Sequence, residues 1–162
     1  GCSPLYIASQ KGYVAIVKVL IKAGGNVNQA ITTSRCTPLF IASENGNVDI
    51  VKVLIKAGAD VNQATTTEGT SPLCMASHQG NFDLVKELIK AGGNVNQALT
   101  TNGVLPLYVA SQNGHIDIVR LLLQQPNIDL NKKDIWNTTA LGIATEKNHT
   151  DVIQLLTNAG AK

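Results

Sequence analysis

An all-α repeat solenoid, a stack of helix-turn-helix units joined by projecting loops, is the fold class this sequence predicts. Three observations predict it. The segment Ser3-Pro4-Leu5-Tyr6-Ile7-Ala8-Ser9 returns as Thr37-Pro38-Leu39-Phe40-Ile41-Ala42-Ser43, Ser71-Pro72-Leu73-Cys74-Met75-Ala76-Ser77 and Leu105-Pro106-Leu107-Tyr108-Val109-Ala110-Ser111, then in worn form as Thr139-Ala140-Leu141-Gly142-Ile143-Ala144-Thr145. The copies start at residues 3, 37, 71, 105 and 139, a constant 34-residue step of the length that marks stacked repeats. A glycine closes the first four copies at one fixed offset (Gly12, Gly46, Gly80, Gly114), and an apolar stretch follows each copy. Such an array makes a surface rather than a pocket, so the functional question is which face binds, and what.

Bulk composition agrees. The chain has 162 residues, 44% hydrophobic and 15% charged, with a formal net charge of +2. That is enough apolar material for a folded domain and too little charge for a disordered one. Aromatic residues make up 4%, so the core has to be aliphatic. No apolar run approaches the ~18 residues of a membrane span, no leader-like segment is visible, and so small a charge does not announce a nucleic-acid partner. The cysteines, Cys2, Cys36 and Cys74, are odd in number and without paired spacing, which argues against a disulfide framework. Cys2 and Cys36 hold one position in adjacent repeats. Packed helices lie ~8–10 Å apart, whereas a disulfide needs Cα atoms within ~7 Å. These thiols are therefore expected to stay free, as in a reducing compartment.

Within one unit the elements follow in order. Thr37 can cap a helix with its hydroxyl, and Pro38 suits the first helical position, where its missing N–H removes no bond. This first helix runs to about Asn45, and Gly46 supplies the left-handed turn that stops it. The second helix, Val48-Asp49-Ile50-Val51-Lys52-Val53-Leu54-Ile55-Lys56-Ala57, is apolar around most of its circumference, with lysines on the remainder. That pattern belongs to a helix held between neighbours with one thin wet stripe. Asp49, like Asp83, Asp117 and Asp151, complements the helix dipole near the start, and Gly58 ends the helix, as Gly24, Gly92 and Gly160 end theirs. Asp60-Val61-Asn62 and a Thr-rich stretch up to Gly69 are rich in turn formers and lack helical periodicity, which predicts a projecting β-hairpin loop. Residues Val17–Gln29, Val51–Gln63 and Val85–Gln97 are nearly identical, as internal duplication or consensus design leaves them, and the irregular Tyr13, Cys74, Met75 and His78 favour the former.

These residues resemble the ankyrin repeat family. Its mark is a T-P-L-H-x-A start, a glycine before the second helix, and a helix ending in L-L-x-x-G-A-D-V-N. Thr37-Pro38-Leu39-Phe40-Ile41-Ala42 and Leu54-Ile55-Lys56-Ala57-Gly58-Ala59-Asp60-Val61-Asn62 match it almost letter for letter. The likeness covers the chain as one domain, 1–162, in five units of approximately 1–34, 35–68, 69–102, 103–136 and 137–162. The departures are local. The usual unit is about 33 residues, and the additional residue here falls in the Thr-rich loops Ala30-Ile31-Thr32-Thr33, Ala64-Thr65-Thr66-Thr67 and Ala98-Leu99-Thr100-Thr101. The motif's His is replaced by Tyr6, Phe40, Cys74, Tyr108 and Gly142. Arg35 stands where Gly69 and Gly103 hold the matching loop turns, which puts the turn of that loop in question.

The two ends differ. The fifth unit lacks the Pro, has Asn148 in place of the first-turn glycine, and carries Thr150 and Thr157 where other units have Val48 and Ile55. Polar replacement of stacking positions is what a terminal capping repeat needs. Ile7, Val14 and Ile16 of the first unit show no such replacement and look ready to stack, so the chain is expected to be cut from a longer array or covered at that end.

The resemblance implies that first helices and loop tips line a concave face and that second helices form the convex back. Carried over residue by residue, it puts Gln10, Lys11, Glu44, Asn45, His78, Gln79, Gln112 and Asn113 on the concave side, together with Glu146 and Lys147. The loop tips add Thr33, Ser34, Arg35, Thr67, Glu68, Thr101, Asn102, Ile135 and Trp136. These positions vary between units while the apolar framework hardly changes, so the framework is assigned to packing and the variable set to a partner. Interface energy concentrates in Trp, Tyr and Arg. Trp136, the one Trp of the chain, sits on a loop tip, either as such an anchor or packed on a neighbouring loop or the capping repeat. Tyr6, Phe40 and Tyr108 are read as fillers between first helix and loop. On the back, Lys18, Lys22, Lys52, Lys56, Lys86, Lys90 and Arg120 align into a basic ridge, read first as a solvated face.

No catalytic or metal-binding constellation emerges, and no cofactor motif. His115 and His149 follow the inter-helix turn, where the family places His for loop hydrogen bonding, and equivalent positions one repeat apart do not converge on a metal at ~2 Å. The resemblance further implies candidate acceptors for asparaginyl hydroxylation at Asn28, Asn62 and Asn96, of which Asn62 after Leu54 fits best. The plainer role is a turn Asn bonding to backbone. The reading is therefore a non-catalytic module that binds a protein or peptide on its concave face. A passive spacer within a larger array and an anion or oligonucleotide binder through the lysine ridge are the alternatives. The family implies an intracellular setting, cytoplasmic first with the nucleus left open, and the isolated chain is expected to be monomeric.

Overall fold

The computed structural model describes all of residues 1–162. Ten α-helices follow one another in five pairs: α1 (Pro4–Lys11) and α2 (Val14–Lys22), α3 (Pro38–Glu44) and α4 (Val48–Lys56), α5 (Pro72–Gln79) and α6 (Phe82–Lys90), α7 (Pro106–Gln112) and α8 (Ile116–Leu123), α9 (Ala140–Glu146) and α10 (Thr150–Asn158). First helices pack on first helices and second helices on second helices, so the molecule has two helical layers. The small residues Ala8, Ala42, Ala76, Ala110 and Ala144 let the first helices approach closely. That layer packs more densely than the second-helix layer.

Helix starts are set by the residues that open each repeat. The hydroxyls of Ser3, Thr37, Ser71 and Thr139 accept hydrogen bonds from the amides of Tyr6, Phe40, Cys74 and Gly142 at 3.0–3.2 Å. Each such cap contributes about 1 kcal/mol. Leu105 has no such group, and α7 begins on Pro106 without a side-chain cap. The last residue of the motif bonds back to its own helix: the buried Ser43, Ser77 and Ser111 and the exposed Thr145 each donate to the carbonyl four residues earlier at 2.7–2.8 Å.

The core is a ladder of equivalent aliphatic residues. Leu39, Leu73 and Leu107 fill it from the first helices, and Val51, Val85, Val119, Leu54, Leu88 and Leu122 from the second, all buried. Truncating one of these leucines to Ala is a change of the ~2–5 kcal/mol class. The first pair shows the same face uncovered. Ile16 is 48% exposed, whereas the matching Ile50, Leu84, Ile118 and Val152 are at most 2% exposed. At the other end Thr150 and Thr157 lie in solvent.

The projecting loops depart from the expected β-hairpins. No strand forms. Each finger closes on a narrow pair instead: Ile31 N to Cys36 O, Thr65 N to Thr70 O, Leu99 N to Val104 O and Asp134 N to Thr138 O, at 2.9–3.1 Å. In all four a second bond closes the tip, as from Arg35 N to Ile31 O at 3.0 Å and from Asn137 N to Asp134 O at 3.1 Å. With four residues or fewer between the closing partners there is no second rung for a ladder. The fingers bond edgewise to one another instead, Thr66 N to Ser34 O (2.9 Å), Thr100 N to Glu68 O (2.9 Å) and Ile135 N to Asn102 O (3.1 Å). Arg35 keeps the finger turn intact. Its φ of 54° is left-handed, like those of Gly69 (70°), Gly103 (74°) and Asn137 (67°).

Candidate functional site

Three sets of contacts position the surface on the first-helix side. In the first, residues that follow an inter-helix turn reach back to the preceding repeat. Asn47 Nδ2 donates to Ser9 O at 3.3 Å, and His115 Nε2 and His149 Nε2 lie 3.1 and 3.0 Å from the carbonyls of His78 and Gln112. The expected loop-bonding role of the two histidines is thus a bond between repeats, made at the end of the previous first helix. It fixes the backbone beneath two candidate partner-binding residues, His78 and Gln112.

In the second set, asparagines tie each helix-finger loop to the next. Asn28 donates to Gly58 O (3.3 Å) and accepts from Asp60 N (2.8 Å). Asn62 treats Gly92 O (3.1 Å) and Asn94 N (2.7 Å) the same way, and Asn96 does so with Asn127 O (2.6 Å) and Asp129 N (2.9 Å). Asn131 accepts from Lys162 N at 2.7 Å. The candidate hydroxylation positions are therefore amides occupied at both ends, the turn role in an inter-repeat form.

The third set holds the last finger. Tyr108 OH donates to Asp134 Oδ2 at 3.0 Å, while Asp134 Oδ1 accepts from the amides of Trp136 (3.0 Å) and Thr138 (2.8 Å). Both side chains are buried. Burial, reinforced by the hydrogen bond to and charge of Asp134, pushes the Tyr108 hydroxyl up to about 12. Asp134 was not singled out by sequence reasoning. The signal that could have found it is an Asp two residues before an exposed Trp and three before a turn Asn. Burial likewise raises Tyr6, with smaller contributions from nearby acidic groups. Tyr6 and Phe40 are buried fillers, as read.

Of the residues assigned to a partner, Gln10, Lys11, Thr33, Arg35, Glu44, Asn45, Thr67, Glu68, His78, Gln79, Thr101, Asn113, Ile135 and Trp136 are exposed, while Ser34, Asn102 and Gln112 are half-buried. Several also have local work. Asn45 Nδ2 bonds the carbonyls of Ile41 and Gln10 (3.1 and 3.2 Å), Asn113 bonds Val109 O (3.0 Å), and Asn102 Oδ1 accepts from Val104 N (3.2 Å). Ser34 Oγ donates to Cys36 Sγ at 3.0 Å. Trp136 is 69% and Ile135 65% exposed, so packing of the Trp on a neighbouring finger does not hold. Cys2, Cys36 and Cys74 carry free thiols, that of Cys74 pushed up to about 12 by burial and then by the charge of Glu68. No helix is long and apolar enough to cross a membrane.

Paired helices in two layers, left-handed turns at fixed offsets and fingers joined edge to edge define a repeat solenoid that offers one continuous outer surface. The family model for ankyrin repeats matches residues 1–65 and 62–134, and the chain belongs to the ankyrin repeat family. No curated protein matches the chain. Ankyrin repeats are generally protein–protein interaction modules.

Proposed function

We propose that this chain is a non-catalytic interaction module that binds a protein or peptide along its first-helix side, across the ends of the first helices and the finger tips. The observation that carries the reading is the Ile135–Trp136 tip. Two large apolar side chains stand mostly in solvent on a finger whose amides at Trp136 and Thr138 donate to the buried Asp134 carboxylate. A rigid aromatic held out of the fold loses little freedom on binding, and Trp is the residue most enriched among interface anchors. Amide and hydroxyl side chains at Gln10, Gln79, Gln112, Thr67 and Thr101 supply hydrogen bonds around it. The polar last pair, with Thr150 and Thr157 exposed, serves as the cap of the stack.

The test is affinity capture with the chain beside a Trp136→Ala, Gln112→Ala double variant. A partner retained by the first and lost at least tenfold by the second supports the assignment. A partner that binds both equally places the interface elsewhere.

A further inference from the structure

The second-helix side holds one groove unlike the others. It runs between α2 and α4, about 310 Å³ in volume, and is lined by Lys18, Ile21, Lys22, Val53, Lys56 and Ala57. Its floor is apolar, from the half-buried Ile21, Val53 and Ala57, and its rim carries three exposed ammonium groups. None of the three is ion-paired, since the one salt bridge of the molecule joins Lys147 to Glu146. No carboxylate precedes Glu44 in the chain, and Asp49, one turn before Val53, does not line the groove.

The comparison with neighbouring grooves is what singles it out. In the next one, between α4 and α6, Glu87 takes the position of Val53 and places a carboxylate among Lys52, Lys56 and Lys90. Between α6 and α8, Gln124 takes the position of Lys56, and Asp117 brings a carboxylate to the lining.

We propose that the α2–α4 groove is a second binding site, for an acidic amphipathic peptide helix. Apolar side chains of the helix would lie on Ile21, Val53 and Ala57, and its carboxylates would meet Lys18, Lys22 and Lys56. The floor decides between anions. A bare phosphate backbone gains nothing from aliphatic carbon, whereas a helix with apolar residues at i, i+3 and i+4 flanked by Glu fills such a groove and neutralises its rim. This site does not rest on the first-helix-side reading, which uses other residues.

Fluorescence anisotropy tests it with a labelled ~16-residue peptide carrying Leu at i, i+3, i+4 and i+7 and Glu between them. Comparators are an oligoglutamate and an oligothymidylate of equal length and vesicles rich in phosphatidylserine. The Leu/Glu peptide is expected to bind at least tenfold more tightly than the oligoglutamate, and Lys22→Glu with Lys56→Glu should weaken it at least tenfold. Val53→Glu should do likewise. It is a substitution the fold accommodates, because Glu87 occupies the matching place in α6, and a circular dichroism melt confirms folding. Glu87→Val should raise the peptide-to-protein ratio from one toward two. Trp136→Ala should leave the binding unchanged, which keeps failure of this site separable from failure of the other. The proposal is overturned if the Leu/Glu peptide does not bind, if oligothymidylate, vesicles or oligoglutamate bind as well, or if Val53→Glu keeps full affinity.

Discussion

The fingers at residues 31–36 and 134–138 do the same job by opposite means. The first is longer and turns on Arg35, an ordinary side chain in a left-handed conformation. Such a conformation costs about 1–2 kcal/mol relative to glycine. Tyr6 occupies the place of Tyr108 beneath it, but no residue from Ile31 to Cys36 is acidic, so its buried hydroxyl has no carboxylate to hold the finger. The last finger is shorter, turns on Asn137, which tolerates positive φ well, and is anchored by a buried carboxylate with three hydrogen bonds. The difference teaches that a finger can be strained and exposed, or anchored and exposed. Only the anchored kind presents its large side chains in a fixed place.

Breaking the anchor should have the largest effect. Asp134→Ala leaves the Tyr108 hydroxyl buried without a partner and frees two amides, a loss of about 3 kcal/mol. In a chain of this size that lowers the thermal midpoint by roughly 6–12 °C. Calorimetry gives the magnitude, and hydrogen exchange should show the loss concentrated at Trp136 and Thr138. Tyr108→Phe removes one of the three bonds and should cost about 1–2 kcal/mol by the same measurement. A smaller change of opposite sign is expected at the other finger. Arg35→Gly should stabilise by about 1 kcal/mol, or ~2–4 °C, by relieving the left-handed strain.

Alkaline pH probes the anchor of the last finger. The Tyr108 hydroxyl is raised from 10 to about 12 in the folded chain, so its contribution is complete below pH 10 and is lost as pH rises through 12. Urea midpoints followed from pH 9 to 12 should fall less steeply in Tyr108→Phe, and an unchanged slope would remove Tyr108 from the account. The smallest expected effect concerns Cys36, half-buried at the base of the first finger. Its labelling by a thiol reagent reports opening of that finger and should slow severalfold in Arg35→Gly. The buried Cys74 thiol, held protonated to about 12, should label only on unfolding.

Much of this architecture was legible in the sequence because repetition makes local rules visible several times over. Capping hydroxyls, prolines at the first helical position, turn glycines and the aliphatic ladder all fell where the motif placed them. Failure came where bonds span a repeat. The Tyr108–Asp134 pair is separated by 26 residues, and nothing in the spacing of either residue points to the other. The fingers look like hairpins in composition, yet closing partners four or five residues apart leave no room for a strand. Arg35 was legible only as an anomaly, because sequence shows that a glycine is missing and not whether the backbone yields. On the surface, Gln10, Asn45, Gln79 and Asn113 at the first-helix ends are exposed and Gln112 is half-buried, while the divided use of Asn45 and Asn113 depends on rotamers. The contrast between the α2–α4 groove and its neighbours turns on Val53 and Glu87, which a sequence shows as two letters among many near-identical ones.

The asparagine ladder gives the stack a way of sensing its own continuity. Each of Asn28, Asn62 and Asn96 uses both ends of one amide on the loop that follows, so a loop that opens strips two bonds from the one before it. Disorder in one repeat is therefore handed upstream, and order is handed back the same way. A ligand that steadies one finger would tighten loops it never touches, making the length of the array itself a determinant of how firmly any part of it can grip.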